Sequence, residues 1–154
     1  MMNGLELRIP PLLVFIIFGM MIWATSAYFP GGNFAMPSHR VVAFIFFLLG
    51  WGVVSAGVFE FRRRKTTMSP FSPERSASVV SSGIYRWSRN PMYLGMALAL
   101  FGITAWCSSL PGFAVVLLFC WYLTRFQIQP EERMLLKLFG AEYAEYMAQV
   151  RRWI

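Results

Sequence analysis

Three long uncharged runs constrain this chain more than any other feature of its sequence. No charged residue lies between Arg8 and His39, and residues 41–59 and 90–124 are equally free of charge. About 20 apolar residues are enough to cross the roughly 30 Å hydrocarbon core of a bilayer. Only 14% of the 154 residues are charged, whereas soluble domains carry about 25%. The sequence therefore predicts an all-α integral membrane protein.

The third run is too long for one crossing, and the turn-forming sequence SSLPG at residues 108–112 interrupts it. We predict a tight hairpin of helices 92–107 and 112–126, which brings the number of transmembrane helices to about four. Proline and two glutamates at 130–132 mark a further helix start. Apolar residues spaced by three and four after it predict an amphipathic interfacial helix, divided at Gly140.

The whole chain, 1–154, is predicted to be one membrane-embedded domain. Its parts are an N-terminal transmembrane pair (1–60), a cytoplasmic connecting loop (61–91), the transmembrane hairpin (92–127) and the C-terminal amphipathic helix (130–154).

Positive charge falls almost entirely on one side of the predicted bundle. With the hairpin in place, every lysine and arginine except Arg40 lies on the side of the two termini. The positive-inside rule places both termini in the cytoplasm, in the plasma or inner membrane if the chain is bacterial. Anionic lipid headgroups account for the net charge of +7. We therefore expect membrane lipids as partners and no nucleic acid.

The second run also carries small residues that predict close helix packing. Gly52 and Ala56 form a small-xxx-small pair of the kind that lets helix backbones approach in membranes. Glu60 follows where this helix leaves the membrane. We expect it to form a local ion pair with Arg63 or Arg64, which makes it a weak candidate for function.

The candidate chemistry lies in the polar and aromatic stretch 82–95 and at the two glutamates after Pro130. The sequence has no glycine-rich phosphate loop and no cysteine or histidine cluster, so no metal site is predicted. The side chains that remain suit a ligand with both signs of charge and an aromatic base. S-adenosylmethionine fits this description, but so do a nucleotide and a lipid headgroup. The side chains are those of Tyr85, Arg86, Arg89, Asn90, Tyr93, Arg125, Glu131 and Glu132.

Short motifs follow one another in the second half of the chain. They are GIY at 83–85, RNPMYLG at 89–95, EE at 131–132 and FG at 139–140, with Tyr143, Tyr146 and Val150 beyond. In this order they resemble the isoprenylcysteine carboxyl methyltransferase family and, more distantly, the phospholipid N-methyltransferases. The resemblance covers residues 78–152. It implies a membrane methyltransferase that uses S-adenosylmethionine without a Rossmann fold and takes a lipidic substrate from the bilayer.

The resemblance also implies roles for single residues. Arg89 and Tyr93 would be catalytic, Gly95 would allow close helix approach, and Glu132 would support Glu131. The residues implied at the cofactor are Ser78, Val79, Val80, Tyr85, Asn90, Pro91, Met92, Tyr93, Gly95, Glu131 and Glu132.

Two positions depart from the pattern of the family. Asn90 stands where the family usually has histidine, and an amide does not titrate near neutral pH, so no proton transfer is expected there. Gln127 stands where eukaryotic members carry a substrate-binding arginine, and Arg125 is the nearest replacement. Arg125 and Gln127 are the expected substrate contacts, and a carboxylate acceptor is not implied.

The functional hypothesis is direct in-line methyl transfer from S-adenosylmethionine to a lipidic or amphipathic acceptor at the cytoplasmic face. The sequence shows no convincing base, which favours an acceptor that is already nucleophilic. Two alternatives stay open. A membrane reductase of the sterol-reductase type would bind NADPH. A non-enzymatic scaffold or lipid-binding protein would bind no cofactor and would tolerate Glu131→Ala and Tyr93→Ala.

Overall fold

The computed structural model describes residues 6–34, 37–63 and 79–154. Short helical turns at Pro30–Gly32 and Gly83–Arg86 and a π-helical segment at Thr124–Ile128 accompany the main helices. The prediction of an all-α fold is confirmed. The main helices in these ranges are α1 (Pro11–Tyr28), α2 (His39–Arg63), α3 (Pro91–Trp106), α4 (Leu110–Leu123), α5 (Gln129–Phe139) and α6 (Ala141–Gln149).

Among the described residues, three helical stretches are apolar and long enough to cross a membrane. They are α1, α2 and the continuous stretch Leu110–Phe139, which runs from α4 through the π-helical segment into α5. The 16 residues of α3 are also apolar and extend over roughly 24 Å at 1.5 Å per residue. Large side chains such as Trp23, Phe44 and Leu117 are more than half exposed on the outer faces. In a bilayer these faces contact lipid, in agreement with the predicted membrane protein.

The interior is formed by α1, α3 and α4. Ile22, Leu100 and Phe119 are completely enclosed between these helices. The rings of Phe18 and Phe119 meet edge to face, with their centroids 5.5 Å apart. Lipid tails are as apolar as these side chains, so close packing rather than escape from water stabilises this interior.

Helix α2 approaches α3 through glycines. A β carbon added at Gly50 would lie 2.5 Å from the carbonyl oxygen of Gly95 and 2.7 Å from the amide nitrogen of Ala99. One added at Gly102 would lie 2.8 Å from the carbonyl oxygen of Ala43. No side chain fits at these points, so the two backbones are in direct contact.

The face of α2 that packs differs from the predicted one. Gly52 and Ala56 are exposed, and a β carbon added at Gly52 would meet no atom within 4 Å. The buried small residues of α2 are instead Ala43, Gly50 and Gly57, which recur seven residues apart and therefore share one face. The prediction was wrong because several small residues offer the same local spacing, and the matching glycines of α3 decide which of them are used.

The predicted break in the third apolar run is a tight turn over residues 107–109. Ser108 has a φ of +50°. Ser109 is completely buried; its side chain accepts a 3.2 Å hydrogen bond from the amide of Gly112 and lies 3.1 Å from the hydroxyl of Thr25. Helix α4 then begins at Leu110, slightly earlier than predicted. The hairpin itself is confirmed.

One end of the bundle collects the start of α1, the ends of α2 and α4, and the start of α3. We call it the basic end because Arg63, Arg89, Arg125 and Arg152 lie there. Helices α5 and α6 continue from this end, and Gly140, with a φ of +54°, separates them as predicted.

Gly50→Ala and Gly52→Ala test the contact between α2 and α3 at two neighbouring positions. We expect Gly50→Ala to lose about 1–3 kcal/mol of stability, the usual cost of overpacking, because backbone atoms must move. Gly52→Ala should be neutral or slightly stabilising, since alanine is the better helix former. Thermal unfolding of both variants in one detergent measures the difference. Equal stability would contradict the described contact.

Candidate functional site

The connection into α3 places Tyr85 against the end of α2. Its side chain is buried within the turn Gly83–Arg86, and its ring meets Phe61 edge to face with 5.3 Å between centroids. The hydroxyl of Tyr146 donates a 2.8 Å hydrogen bond to the carbonyl oxygen of Tyr85. The Tyr85 hydroxyl itself is buried and has no hydrogen-bond partner among the described residues. It is therefore available to a ligand.

Hydrogen bonds tie the start of α3 to the C-terminal segment that follows α6. The amide of Arg89 donates to the carbonyl oxygen of Arg151 at 3.1 Å. The side-chain amide of Asn90 donates to the carbonyl oxygen of Arg152 at 2.9 Å. Pro91 then occupies the first position of α3, which suits a residue without an N–H group. The C-terminal segment thus fixes the residues that lead into the helix.

Glu131 is the first of two adjacent carboxylates near the start of α5. The buried Tyr93, on α3, donates a 2.5 Å hydrogen bond from its hydroxyl to Oε1 of Glu131. No arginine, lysine or histidine of the described ranges forms an ion pair with Glu131. A sheltered carboxylate without a cation suits a positively charged or hydrogen-bond-donating ligand.

Glu132 is instead neutralised by two arginines. Nη2 of Arg89 lies 3.0 Å from its Oε1. Arg152 donates from Nε to Oε1 at 3.0 Å and from Nη2 to Oε2 at 2.7 Å, and this bonding raises the pKa of Arg152. The side chain of Arg89 is only 8% exposed, yet its Nε and Nη1 have no hydrogen-bond partner among the described residues. Two unused N–H donors on one guanidinium suit a planar anion such as a carboxylate.

Three tyrosines at the basic end, outside the membrane-spanning helices, stay protonated. Burial raises the pKa of Tyr85 and of Tyr146 well above the usual range, and it raises the pKa of Tyr143 to about 12. An unperturbed tyrosine has a pKa of about 10, so none of the three is a phenolate near neutral pH. They can donate hydrogen bonds and present aromatic faces, but they are poor general bases.

Arg125 and Gln127, the predicted substrate contacts, bind the segment that precedes α1. Nη1 of Arg125 donates a 2.9 Å hydrogen bond to Glu6, and Arg133 donates one of 2.6 Å to the same carboxylate. Gln127 is completely buried, and its Nε2 donates to the carbonyl oxygen of Ile9 at 2.6 Å. Its Oε1 has no partner among the described residues. Gln127 lies in the π-helical segment, a feature that often accompanies functional sites.

The structure brings most of the predicted cofactor residues to the basic end. Gly95 faces α2, where an added β carbon would lie 2.6 Å from Cγ2 of Val54. This is the close helix approach implied for Gly95, and no cofactor contact follows from it. Ser78 lies outside the described residues. Val79 and Val80 lie in the described connection just before Ser82. The predicted residues whose contacts place them at the basic end are Tyr85, Arg89, Asn90, Pro91, Met92, Tyr93, Glu131 and Glu132.

Two further carboxylates lie at this end, and no strong sequence pattern marks either of them as part of a site. Glu60 pairs with Arg63 at 2.9 Å, as expected, but it also accepts a hydrogen bond from the hydroxyl of Ser82. Glu6 had no predicted role, and its only signal was an isolated negative charge ahead of the first apolar run.

These observations define a helical membrane protein with a charged and aromatic site at one end. The model of the phospholipid methyltransferase family matches residues 38–142, which span α2 to α5. The chain belongs to the phospholipid methyltransferase family.

Two relatives illustrate the extent of the similarity. An uncharacterised protein of Haemophilus influenzae is 38% identical over 63 residues, which are 41% of this chain and all of that protein. Protein-S-isoprenylcysteine O-methyltransferase of Saccharomyces cerevisiae is 32% identical over 72 residues, which are 47% of this chain and 30% of the yeast protein. No solved structure matches.

The family resemblance recognised from the motifs is therefore confirmed. By its family and its apolar helices the chain is a membrane methyltransferase. Neither the reductase nor the scaffold alternative is favoured by these matches.

The contacts of Glu6 make the docking of the N-terminal segment dependent on pH. Hydrogen bonding from Arg125 lowers the pKa of Glu6 below its ordinary value of 4.5. Folding therefore favours the ionised form of Glu6. The stabilisation of the folded state that this carboxylate provides is present above about pH 4.5 and is lost as the pH falls through the lowered pKa. We expect wild type to unfold at a higher temperature than Glu6→Gln at neutral pH, with the difference shrinking as the pH falls below 4.5. A difference that stays constant with pH would contradict this.

Proposed function

We propose that this methyltransferase transfers a methyl group from S-adenosylmethionine to a lipidic or amphipathic acceptor at the cytoplasmic face of the membrane. Two opposite charges with unused bonding capacity carry the proposal. Among the described residues, Glu131 has no cationic partner and two N–H groups of Arg89 have no hydrogen-bond acceptor. Arg89 forms an ion pair with Glu132, the residue that follows Glu131 in the chain. The amino acid part of S-adenosylmethionine carries an ammonium and a carboxylate side by side, and it matches this pair.

The cofactor residues divide into roles that follow from their contacts. Glu131 would hold the ammonium or the ribose diol, and the free N–H groups of Arg89 would hold the carboxylate. Tyr93 fixes the orientation of Glu131 through its hydrogen bond. The rings of Tyr85 and Tyr93 offer negative π faces to a sulfonium. When bound, S-adenosylmethionine supplies an electrophilic methyl group.

The protein would act mainly by positioning the acceptor and by excluding water. An acceptor atom held about 3–3.5 Å from the methyl carbon and in line with the bond that breaks reacts without a covalent enzyme intermediate. Tyr85, Tyr143 and Tyr146 stay protonated, and Glu131 is assigned to the cofactor. We infer that the acceptor arrives as a competent nucleophile, such as a carboxylate, a thiolate or a free amine.

The acceptor would reach this site from the bilayer, because apolar helix faces surround the basic end. Arg125 and Gln127 remain the proposed contacts of its polar head. Arg125 would exchange Glu6 for an anionic group of the acceptor, and Oε1 of Gln127 would accept a hydrogen bond from a donor. The concentration of arginines at this end supports a cytoplasmic location.

Glu131→Gln tests the assignment of the cation site. Hydrogen bonds to charged groups contribute about 1.5–3 kcal/mol, so we expect the Kd for S-adenosylmethionine to rise about tenfold or more. Glu142→Gln is the matched control, because Glu142 is exposed on α6. Calorimetric titration of the purified protein in detergent measures both. Folded wild-type protein that binds no S-adenosylmethionine, or Glu131→Gln with unchanged affinity, would contradict the proposal.

Arg89→Lys tests the assignment of the carboxylate site. Lysine keeps a positive charge beside Glu132 but lacks the forked N–H groups. We expect wild type to prefer S-adenosylmethionine over its decarboxylated analogue by roughly tenfold, and Arg89→Lys to lose most of this preference. Arg86→Lys, at an exposed position three residues earlier, should retain it. If Arg89→Lys kept the full preference for S-adenosylmethionine, Arg89 would not be the residue that binds the carboxylate of the cofactor.

A further inference from the structure

Helix α2 carries a single acidic residue, Glu60, one turn before the helix ends at Arg63. Glu60 is only 5% exposed. Enclosing a carboxylate is unfavourable unless it gains hydrogen bonds or a counter-charge. The partners of Glu60 therefore indicate why an acid stands at the end of an otherwise apolar helix.

Two of the partners of Glu60 lie on α2 itself and on the described part of the connection that leads into α3. Nη2 of Arg63 is 2.9 Å from Oε1 of Glu60, but the Arg63 side chain is 57% exposed, and exposed ion pairs contribute little. The hydroxyl of Ser82 donates to the same carboxylate oxygen. This second bond joins residues that are 22 positions apart in the chain.

Gly83, the next residue, lies directly against the Glu60 carboxylate. It has a φ of +59°, and a β carbon added to it would be 2.8 Å from Oε2 of Glu60. Glycine is the residue that adopts this backbone conformation without strain and leaves room for the carboxylate. Through Ser82 and Gly83, the turn Gly83–Arg86 therefore packs directly on the carboxylate of Glu60.

The turn presents Tyr85 to the last turns of the same helix. The Tyr85 ring packs against Phe61, the neighbour of Glu60. The Tyr85 hydroxyl is 3.6 Å from the position that a β carbon on Gly57 would occupy. The hydroxyl of Tyr146 on α6 donates a hydrogen bond to the carbonyl oxygen of Tyr85. Glu60, through Ser82 and Gly83, therefore adds to the contacts that hold this tyrosine in place.

We propose that Glu60 is a positioning residue: its carboxylate holds Ser82 and Gly83 and thereby sets Tyr85 in the cofactor site. The part that concerns the cofactor depends on the proposed function, whereas the attachment of the turn does not. Glu60 does not touch the reacting atoms in this account. Glu60 sets the fraction of molecules in which the turn has the conformation that binds S-adenosylmethionine.

Glu60→Ala removes the acceptor of the Ser82 hydrogen bond, whereas Glu60→Gln keeps an acceptor oxygen at the same position. Comparing the two variants tests whether this hydrogen bond positions the turn. If the binding conformation becomes a minor one, the apparent Kd rises by the inverse of its population. We expect the Kd and the KM for S-adenosylmethionine to rise roughly tenfold in Glu60→Ala, with kcat much less affected. Glu60→Gln should stay near wild type, because its amide oxygen still accepts the Ser82 hydrogen bond. Glu142→Ala, at an exposed position, is the control.

Hydrogen exchange provides a readout that needs no cofactor. The amides of Tyr85 and Trp87 bond to the carbonyl oxygens of Ser82 and Ile84 within the turn. We expect these amides to exchange faster in Glu60→Ala, while Glu60→Gln and Glu142→Ala keep their protection. If wild type binds no S-adenosylmethionine, the proposed function is wrong. Hydrogen exchange of these amides still tests whether Glu60 holds the turn in place.

Ser82→Ala removes the donor of the hydrogen bond to Glu60. It tests the same contact if Glu60→Ala does not fold. It should reproduce the faster exchange and the weaker binding. In a double-mutant cycle the two changes should be clearly less than additive, because each removes one partner of a shared contact. Unchanged exchange and unchanged affinity in folded Glu60→Ala or Ser82→Ala would overturn the proposal, as would fully additive effects.

Discussion

The site depends on the direct backbone contact between α2 and α3. Gly50 and Gly95 meet with no side chain between them, which brings the last turns of α2 beside the first turn of α3. Tyr93 stands on that first turn, and Tyr85 fills the space next to Gly57 at the end of α2. Because the bilayer gives little preference for apolar contact over lipid, close packing of this kind is what aligns two membrane helices. A shift along this interface would separate the pieces of the site.

The two adjacent glutamates of α5 differ in their bonding partners. Glu132 is saturated by Arg89 and Arg152, so it holds the C-terminal segment and the start of α3 together. Among the described residues, Glu131 accepts a hydrogen bond from the hydroxyl of Tyr93 and forms no ion pair with an arginine, lysine or histidine. In the proposed function, Glu131, which has no cation beside it among the described residues, would attract an ammonium or a diol. In the same proposal, the N–H groups of Arg89 that have no acceptor among the described residues would attract an anion.

The sequence predicted those features that depend on local chemistry. Uncharged runs mark the helices, SSLPG marks the hairpin turn, and Gly140 marks the break between α5 and α6, because proline, glycine and charge act within one or two turns of chain. The packing face of α2 was not predictable in the same way. In water a helix shows its packed face by polarity, but a membrane helix is apolar all round, so Gly50 and Gly52 look equivalent until α3 is in place. The bond from Arg125 to Glu6 spans 119 positions and left no local pattern.

The most direct test of the central claim is transfer of a labelled methyl group. The protein would be reconstituted in vesicles of total membrane lipid and supplied with S-adenosylmethionine labelled in its methyl group, and label would be counted in the organic phase. We expect incorporation by wild type and by Glu142→Gln, and loss of most incorporation in Glu131→Gln. Folded wild-type protein that binds S-adenosylmethionine but transfers no label to any lipid or membrane-anchored acceptor would contradict the assignment of this site to methyl transfer at the membrane.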